Sequence, residues 1–319
     1  MFYSLVKAYA RFALKIFCKK IVINFPGNLH QRGPVLLACN HPNSFLDGII
    51  LTTLFDHRVH SLARGDAFKN KWISKILYNI QLLPVYRTSE GVENLEHNYT
   101  TFAACIDTFK KNEIVLIFSE GRCDNEWHLR PLKKGTARLA ISAWKNDIEL
   151  QVIPTALNYS SFKKFGKEVH LFFGTPIEKK KVFSEPTEGR QLLLFNEELN
   201  AQLSKLVYEI TPSDRLKRRK ILNIKKNVSF YFLLLPALIG IIIHSPLFIP
   251  VTAFTTLRYG KSGHFDSVQT ALLLLMYPFY WLAMSLVSFM IEPWIACIVF
   301  PLFPLTAWAA VQIKYQADI

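Results

Sequence analysis

The stretch PVLLACNHPNSFLDG, Pro34–Gly48, is an apolar run that stops abruptly in a polar turn. Short runs of branched and apolar residues bounded by Pro, Gly or Asn read as strands, so residues 34–40 are expected to form one. His41 precedes Pro42, which disfavours helical backbone at the histidine and pre-sets a helix start at 42 or 43. The pattern is therefore strand, turn, helix, with a histidine in the turn and Asp47 six positions further on. In one straight helix two such residues would point about 240° apart. They meet only if His41 lies off the helix and folds back over its first turns. In that case the carboxylate fixes the imidazole tautomer and raises its basicity, leaving the other nitrogen to take a proton from a hydroxyl. A turn histidine and a helix-face aspartate that never meet are the plainer reading, and the pair alone does not choose.

Outward from this stretch the same grammar repeats. EIVLIFSEG (113–121), ELQVIPTAL (149–157) and EVHLFFGTP (168–176) read as further strands. Between them NLEHNYTTFAACIDTFKKN (94–112) and KKGTARLAISAWKND (133–147) carry helical periodicity. Alternation of this kind predicts an α/β fold, a sheet covered by helices. Ligands of such sheets bind beyond the carboxyl ends of the strands. The polar clusters NHPNSFLDG and SEGRCDN fall at those ends.

Charge divides the chain. Of its 62 Lys, Arg, Asp and Glu residues only six lie after residue 226, namely Arg258, Lys261, Asp266, Glu292, Lys314 and Asp318. The tail holds three charge-free runs, Asn227–Leu257, Ser267–Ile291 and Pro293–Ile313. A helix needs about 20 mostly apolar residues to cross a bilayer, so the second and third qualify on length. The first contains Pro236, His244, Pro246 and Pro250, and spans, kinks or dips in and returns. Just before it, RLKRRKILNIKK (Arg215–Lys226) has seven basic residues in twelve. Such a collar marks the cytoplasmic side of a membrane and attracts anionic headgroups. The net charge of +14 also suits nucleic acid. The densest basic run abuts an apolar segment and no recognition motif accompanies it, which favours a membrane surface over a nucleic acid.

The N-terminal 25 residues alternate apolar clusters with Lys7, Arg11, Lys15, Lys19 and Lys20. That spacing fits a helix in the membrane interface, or equally a core helix with a solvated face. Five cysteines fall singly, with no framework for disulfides or zinc, as in a reducing compartment.

Other residues could support chemistry. Arg87 follows an apolar segment and Arg64 ends another; a guanidinium suits phosphate because its planar fork offers two parallel donors. Ser119-Glu120-Gly121 ends a strand, and Arg122, Arg130, Lys133 and Lys134 follow within 13 residues. A basic cluster beside a histidine suggests an anionic substrate. Ser44 and Ser119 are available as nucleophiles, but no G-x-S-x-G elbow supports either. Phosphate cradles, dinucleotide fingerprints and H-E-x-x-H are missing, so nothing requires a nucleotide, flavin or metal.

Taken together, four blocks resemble the glycerolipid acyltransferase superfamily, which includes lysophosphatidic acid and glycerol-3-phosphate acyltransferases. They are Asn40-His41…Asp47, Pro84-Val85-Tyr86-Arg87, Phe118-Ser119-Glu120-Gly121 with Pro131-Leu132-Lys133-Lys134-Gly135, and Val152-Ile153-Pro154. Five residues rather than four separate His41 from Asp47, Ser119 replaces a proline, and Arg122-Cys123 replaces Thr-Arg. The resemblance implies acyl transfer from acyl-CoA or acyl-carrier protein to a hydroxyl of glycerol-3-phosphate or 1-acylglycerol-3-phosphate, in phospholipid biosynthesis. His41 would be the base and Asp47 its orienter. Arg87 would hold the acceptor phosphate, Arg122 would substitute, one position earlier, for the phosphate-binding arginine of the third block, Glu120 and Gly121 would shape that pocket, and Lys133 would add positive charge; Arg64 remains a phosphate-binding candidate by its guanidinium alone. No cofactor beyond the thioester co-substrate is expected. The rivals are another lysolipid or amino-acid lipid as acceptor, and a membrane lipid-binding scaffold without turnover.

The expected architecture is a mixed sheet covered by helices, followed by C-terminal transmembrane helices. The expected segments are an interfacial helix (1–25), an acyltransferase domain (26–210), a basic juxtamembrane segment (211–226) and a tail with two or three spans (227–319). The catalytic domain is expected on the cytoplasmic side of an integral membrane protein, in contact with membrane lipids.

Overall fold

In the computed structural model, which describes residues 2–86, 97–211, 213–222 and 229–317, the run 34–40 becomes the central strand of a seven-stranded sheet. The chain begins with helix α1 (Phe2–Phe17) and strand β1 (Cys18–Ile23), followed by β2 (Val35–Cys39) and α2 (Ser44–Leu54). Next come β3 (Val59–Arg64), α3 (Lys71–Asn79), β4 (Leu82–Val85), α4 (His97–Lys110) and β5 (Ile114–Phe118). After these lie α5 (Gly135–Lys145), β6 (Gln151–Tyr159) and β7 (Lys167–Phe173). Helices α6 (Lys179–Val182), α7 (Glu188–Leu206) and α8 (Arg215–Ile221) lead to the tail helices α9 (Ser229–Tyr259), α10 (Phe265–Ile291) and α11 (Pro293–Ala317).

The strand order is β1-β7-β6-β2-β5-β3-β4. All neighbours pair parallel except β6 and β7, so the sheet is mixed. All five residues of β2 are buried, as a strand covered on both faces requires. One apolar layer joins Leu36, Ala38 and Val115 to Trp144 of α5 and Phe195 of α7. The other joins Leu37, Cys39 and Leu116 to Ile50 of α2 and Phe17 of α1.

The N-terminus departs from the sequence reading. The helix expected over 1–25 ends at Phe17, and residues 18–23 pair parallel with β7. Ile21-Val22-Ile23 is a β-branched run that prefers a pleated sheet to a helix. Helix α1 packs on α2 and α11, and the Tyr9 hydroxyl donates to the Leu274 carbonyl of α10 at 2.6 Å.

The tail forms three helices long and apolar enough to cross a membrane, Phe230–Tyr259, Phe265–Ile291 and Pro293–Lys314. The first of these runs through its three prolines as one helix rather than breaking at them. Helices α9 and α11 approach closely at Gly240, where a Cβ would stand 2.1 Å from the Thr306 carbonyl oxygen. Small residues at such crossings let helices pack where no hydrophobic force drives them together. The basic run before the tail contributes α8, and its Lys225 and Lys226 lie outside the described residues.

Candidate active site

The site follows from strand register. β2 and β5 run parallel with Cys39 opposite Phe118, so residues two beyond each strand, His41 and Glu120, emerge side by side. Asn40 pins the exit of β2: its side chain accepts from Leu157 N at 2.8 Å and donates to Leu157 O at 3.0 Å. The following helix starts at Ser44 with Asn43 before it, one or two residues later than Pro42 suggested. Ser44 has φ +51, a left-handed backbone for a residue with a side chain. Such a conformation costs on the order of 1–3 kcal/mol and persists only where the surroundings over-determine it. Here the Pro42 carbonyl accepts from Asn125 Nδ2 at 2.8 Å, and Ser44 Oγ lies 2.7 Å from His264 Nδ1.

That sharp turn is what lets His41 fold back over the helix. Its Nδ1 lies 2.9 Å from Asp47 Oδ2. The same oxygen accepts the Asn43 backbone N–H at 2.8 Å, and Oδ1 accepts the Tyr159 hydroxyl at 2.6 Å. Asp47 is fully buried, whereas the His41 side chain keeps 13% of its surface exposed. An ionised carboxylate only accepts, so Nδ1 carries the proton and Nε2 presents a lone pair. Among the described residues Nε2 makes no hydrogen bond. The ring lies flat on Phe118, with centroids 3.9 Å apart and planes 11° apart. Burial, and then the Asp47 charge, push the Tyr159 phenol well above its ordinary pKa, so it stays a donor.

Glu120 works on backbone. Its Oε2 accepts from His41 N at 2.8 Å and Oε1 from Arg130 N at 3.0 Å. Burial raises its pKa, and the two N–H donors oppose that rise. Gly121 has φ +71, and a Cβ there would meet Lys133 Cγ at 2.9 Å. The glycine is thus required both by its backbone and by the lysine stem lying across it.

The expected cations differ in how free they are. Arg64 ends β3 and pairs with Asp66, and Arg122 Nε pairs with Asp124 Oδ2 at 2.9 Å. Arg130 pairs with Asp124 and Glu126. Lys133 makes no ion pair among the described residues and is exposed. Arg87 lies outside the described residues. The residue before it, Tyr86, is held at both backbone groups by the Asn98 side chain, each bond 2.8 Å long. Neither candidate serine touches His41: Ser44 bonds His264, and Ser119 Oγ accepts from Thr136.

Sequence reasoning missed Tyr159, Asn43, Lys167, His264 and Asp266. Asp266 alone gave a signal, as one of six charges in the last 93 residues. Its carboxylate is fully buried and meets Lys167 Nζ of β7 at 2.5 Å. An ionisable group at the mouth of an apolar helix is a reason to look for its partner.

Residues 20–158 match the family model described as Acyltransferase. A 1-acyl-sn-glycerol-3-phosphate acyltransferase of Bacillus subtilis (strain 168) is 29% identical over 185 residues, which covers 56% of this chain and 84% of that protein. The crystal structure of the 1-acyl-sn-glycerophosphate acyltransferase from Thermotoga maritima aligns over 64% of this chain and 79% of its own, with a TM-score of 0.45 and 14% identity.

Proposed function

We propose that the chain, whose residues 20–158 match the Acyltransferase family model and whose motif blocks resemble the glycerolipid acyltransferase superfamily, moves a fatty acyl group from an acyl thioester to a hydroxyl of a phosphorylated glycerol. The acceptor is 1-acylglycerol-3-phosphate or glycerol-3-phosphate, and the donor acyl-CoA or acyl-carrier protein. The observation that carries the reading is the 2.9 Å contact between His41 Nδ1 and the buried carboxylate of Asp47.

In this reading His41 Nε2 takes the acceptor hydroxyl proton as the oxygen attacks the thioester carbonyl. A C–O bond forms, the tetrahedral centre collapses, the C–S bond breaks, and the imidazolium returns its proton to the departing sulfur. Asp47 stabilises the transient imidazolium. General-base help of this kind is worth about 10²–10⁴ in rate, and positioning supplies much of the rest. The phosphate is held by Arg87 and Lys133, with Arg64 and Arg122 joining only by loosening their present carboxylate partners. Glu120 fixes the backbone of the histidine and of Arg130. The membrane-length tail keeps the site near lipid, where the acyl chains partition, with the basic α8 on the cytoplasmic side.

A second reading has its own observation. Ser44 Oγ stands 2.7 Å from His264 Nδ1, as in a covalent acyl-enzyme mechanism. That reading is weaker, since Ser44 is buried and no carboxylate backs His264 among the described residues.

Purified protein, acyl-CoA and a panel of phosphorylated and unphosphorylated acceptors, with products read by mass, test the proposal. His41→Ala should lower acyl transfer by about 10²–10⁴ while membrane association persists. A fluorophosphonate probe should label nothing. Retained turnover in His41→Ala, or labelling of Ser44, overturns the base mechanism.

A further inference from the structure

The tail reaches the candidate active site. Asp266, in the first turn of α10, accepts the Asn43 side-chain N–H on Oδ2 at 2.6 Å. Lys167 Nζ donates to the same oxygen. Both charged side chains have no exposed surface. Burying two charges is expensive, and a well-packed apolar pair often holds two elements together at least as well. The ion pair therefore needs a reason beyond joining α10 to β7. The reason on hand is the third partner: only a polar group at 266 can accept from Asn43.

Asn43 is one step from the chemistry. Its backbone N–H donates to Asp47 Oδ2, the oxygen that His41 Nδ1 also contacts. Lys167 adds a second route, lying 5.9 Å from the ring centroid of Tyr159, whose hydroxyl holds Asp47 Oδ1. The residues just before Asp266 press on the same turn, His264 against the strained Ser44 and the Gly263 carbonyl against Cys123 Sγ at 3.9 Å.

We infer that Asp266 is a positioning residue of the acyl transfer. The first turn of α10 holds residue 43 so that Asp47 and His41 stay aligned, and the membrane-length tail is part of the active site as well as an anchor. The inference rests on His41 acting as the base.

Two double variants isolate the claim. Lys167→Met with Asp266→Leu removes the ion pair and the acceptor for Asn43. Lys167→Met with Asp266→Asn removes the ion pair and keeps an acceptor. Both dispense with buried charge, so a difference between them reports the link to Asn43. The Leu version should lose roughly 10–10²-fold in kcat with KM little changed, and the Asn version should recover most of it. Asn43→Ala, which leaves the ion pair intact, should lose kcat to the same degree and add nothing in the Leu background. Equal kcat in the two double variants overturns the inference, and so does an Asn43→Ala protein with wild-type kcat. If the Leu version fails to fold by circular dichroism, the Asn43→Ala result decides. His41→Ala is run alongside: turnover there removes the base mechanism itself, whereas its loss, with Asn43→Ala unaffected, removes only the role of Asp266.

Discussion

Two carboxylates, one after β2 and one at the head of α10, are buried equally and handled in opposite ways. Around Asp266 the Lys167 ammonium meets the charge directly. Around Asp47 the donors are a phenol, a backbone N–H and an imidazole, and among the described residues no fixed cation touches it. Lys167 is near enough to feel the Asp47 charge but bonds to Asp266 instead. A buried anion without a fixed counter-ion favours any step that places positive charge beside it. Protonation of His41 is such a step. The same residue type at the same burial is therefore an available charge in one region and a neutralised strut in the other.

The strongest way to break this contrast is Asp47→Asn, which keeps size and polarity and removes only the charge. We expect kcat to fall by about 10²–10⁴, measured as initial rates of acyl transfer at saturating donor. If it falls no further than in Lys167→Met with Asp266→Asn, the two carboxylates are equivalent and the contrast is wrong. Next in size is Lys167→Met alone, which turns Asp266 into a second uncompensated anion. Removing one partner of a buried pair costs about 3–5 kcal/mol. Denaturant unfolding in detergent should show that loss, and adding Asp266→Leu should recover most of it. Burial lowers the Lys167 pKa, so deprotonation of the ammonium would be a lesser way to the same uncompensated Asp266. Smaller still is Tyr159→Phe, which deletes one of the three donors on Asp47. A hydrogen bond to a charged group contributes about 1.5–3 kcal/mol, so stability and kcat should each drop, by less than in the two preceding variants. A loss as large as that of Asp47→Asn would mean that the phenol, not the imidazole, governs the carboxylate.

How much of this was legible depended on how local the signal was. Strands β2, β5, β6 and β7 could be read because each is a short apolar run ended by a polar turn. His41 and Asp47 could be read as a pair because the turn that joins them lies within one stretch of sequence. Strand β1 was hidden by Lys19 and Lys20, which continue the basic spacing of α1 although the β-branched run after them prefers the sheet. Tyr159, Lys167 and Asp266 were out of reach for a different reason. Tyr159 bonds Asp47 across 112 positions and Lys167 bonds Asp266 across 99, contacts that only the sheet order and the return of α10 create. Register, too, decided the role of Glu120, whose oxygens serve two backbone N–H groups on neighbouring segments.

The smallest test applies the contrast to two histidines. His41 faces a carboxylate, whereas His264 faces the Ser44 hydroxyl and lies in the field of the Arg64 guanidinium. Burial first, and the nearby Arg64 charge after it, lower the His264 pKa from 6.5. The folded state thus binds this proton less readily than the unfolded chain does. His264 contributes stability that is complete above 6.5 and is lost as pH falls from there through the lower folded value. Because the ring is exposed, solvent screening keeps the effect small. His264→Gln cannot take up the proton, so its melting temperature should fall less than that of the wild type between pH 7 and pH 5. A wild-type protein whose melting temperature rises on acidification, with the rise abolished in His264→Gln, would mean that this histidine meets an anion after all. The electrostatic difference between the two ends of this turn would then disappear.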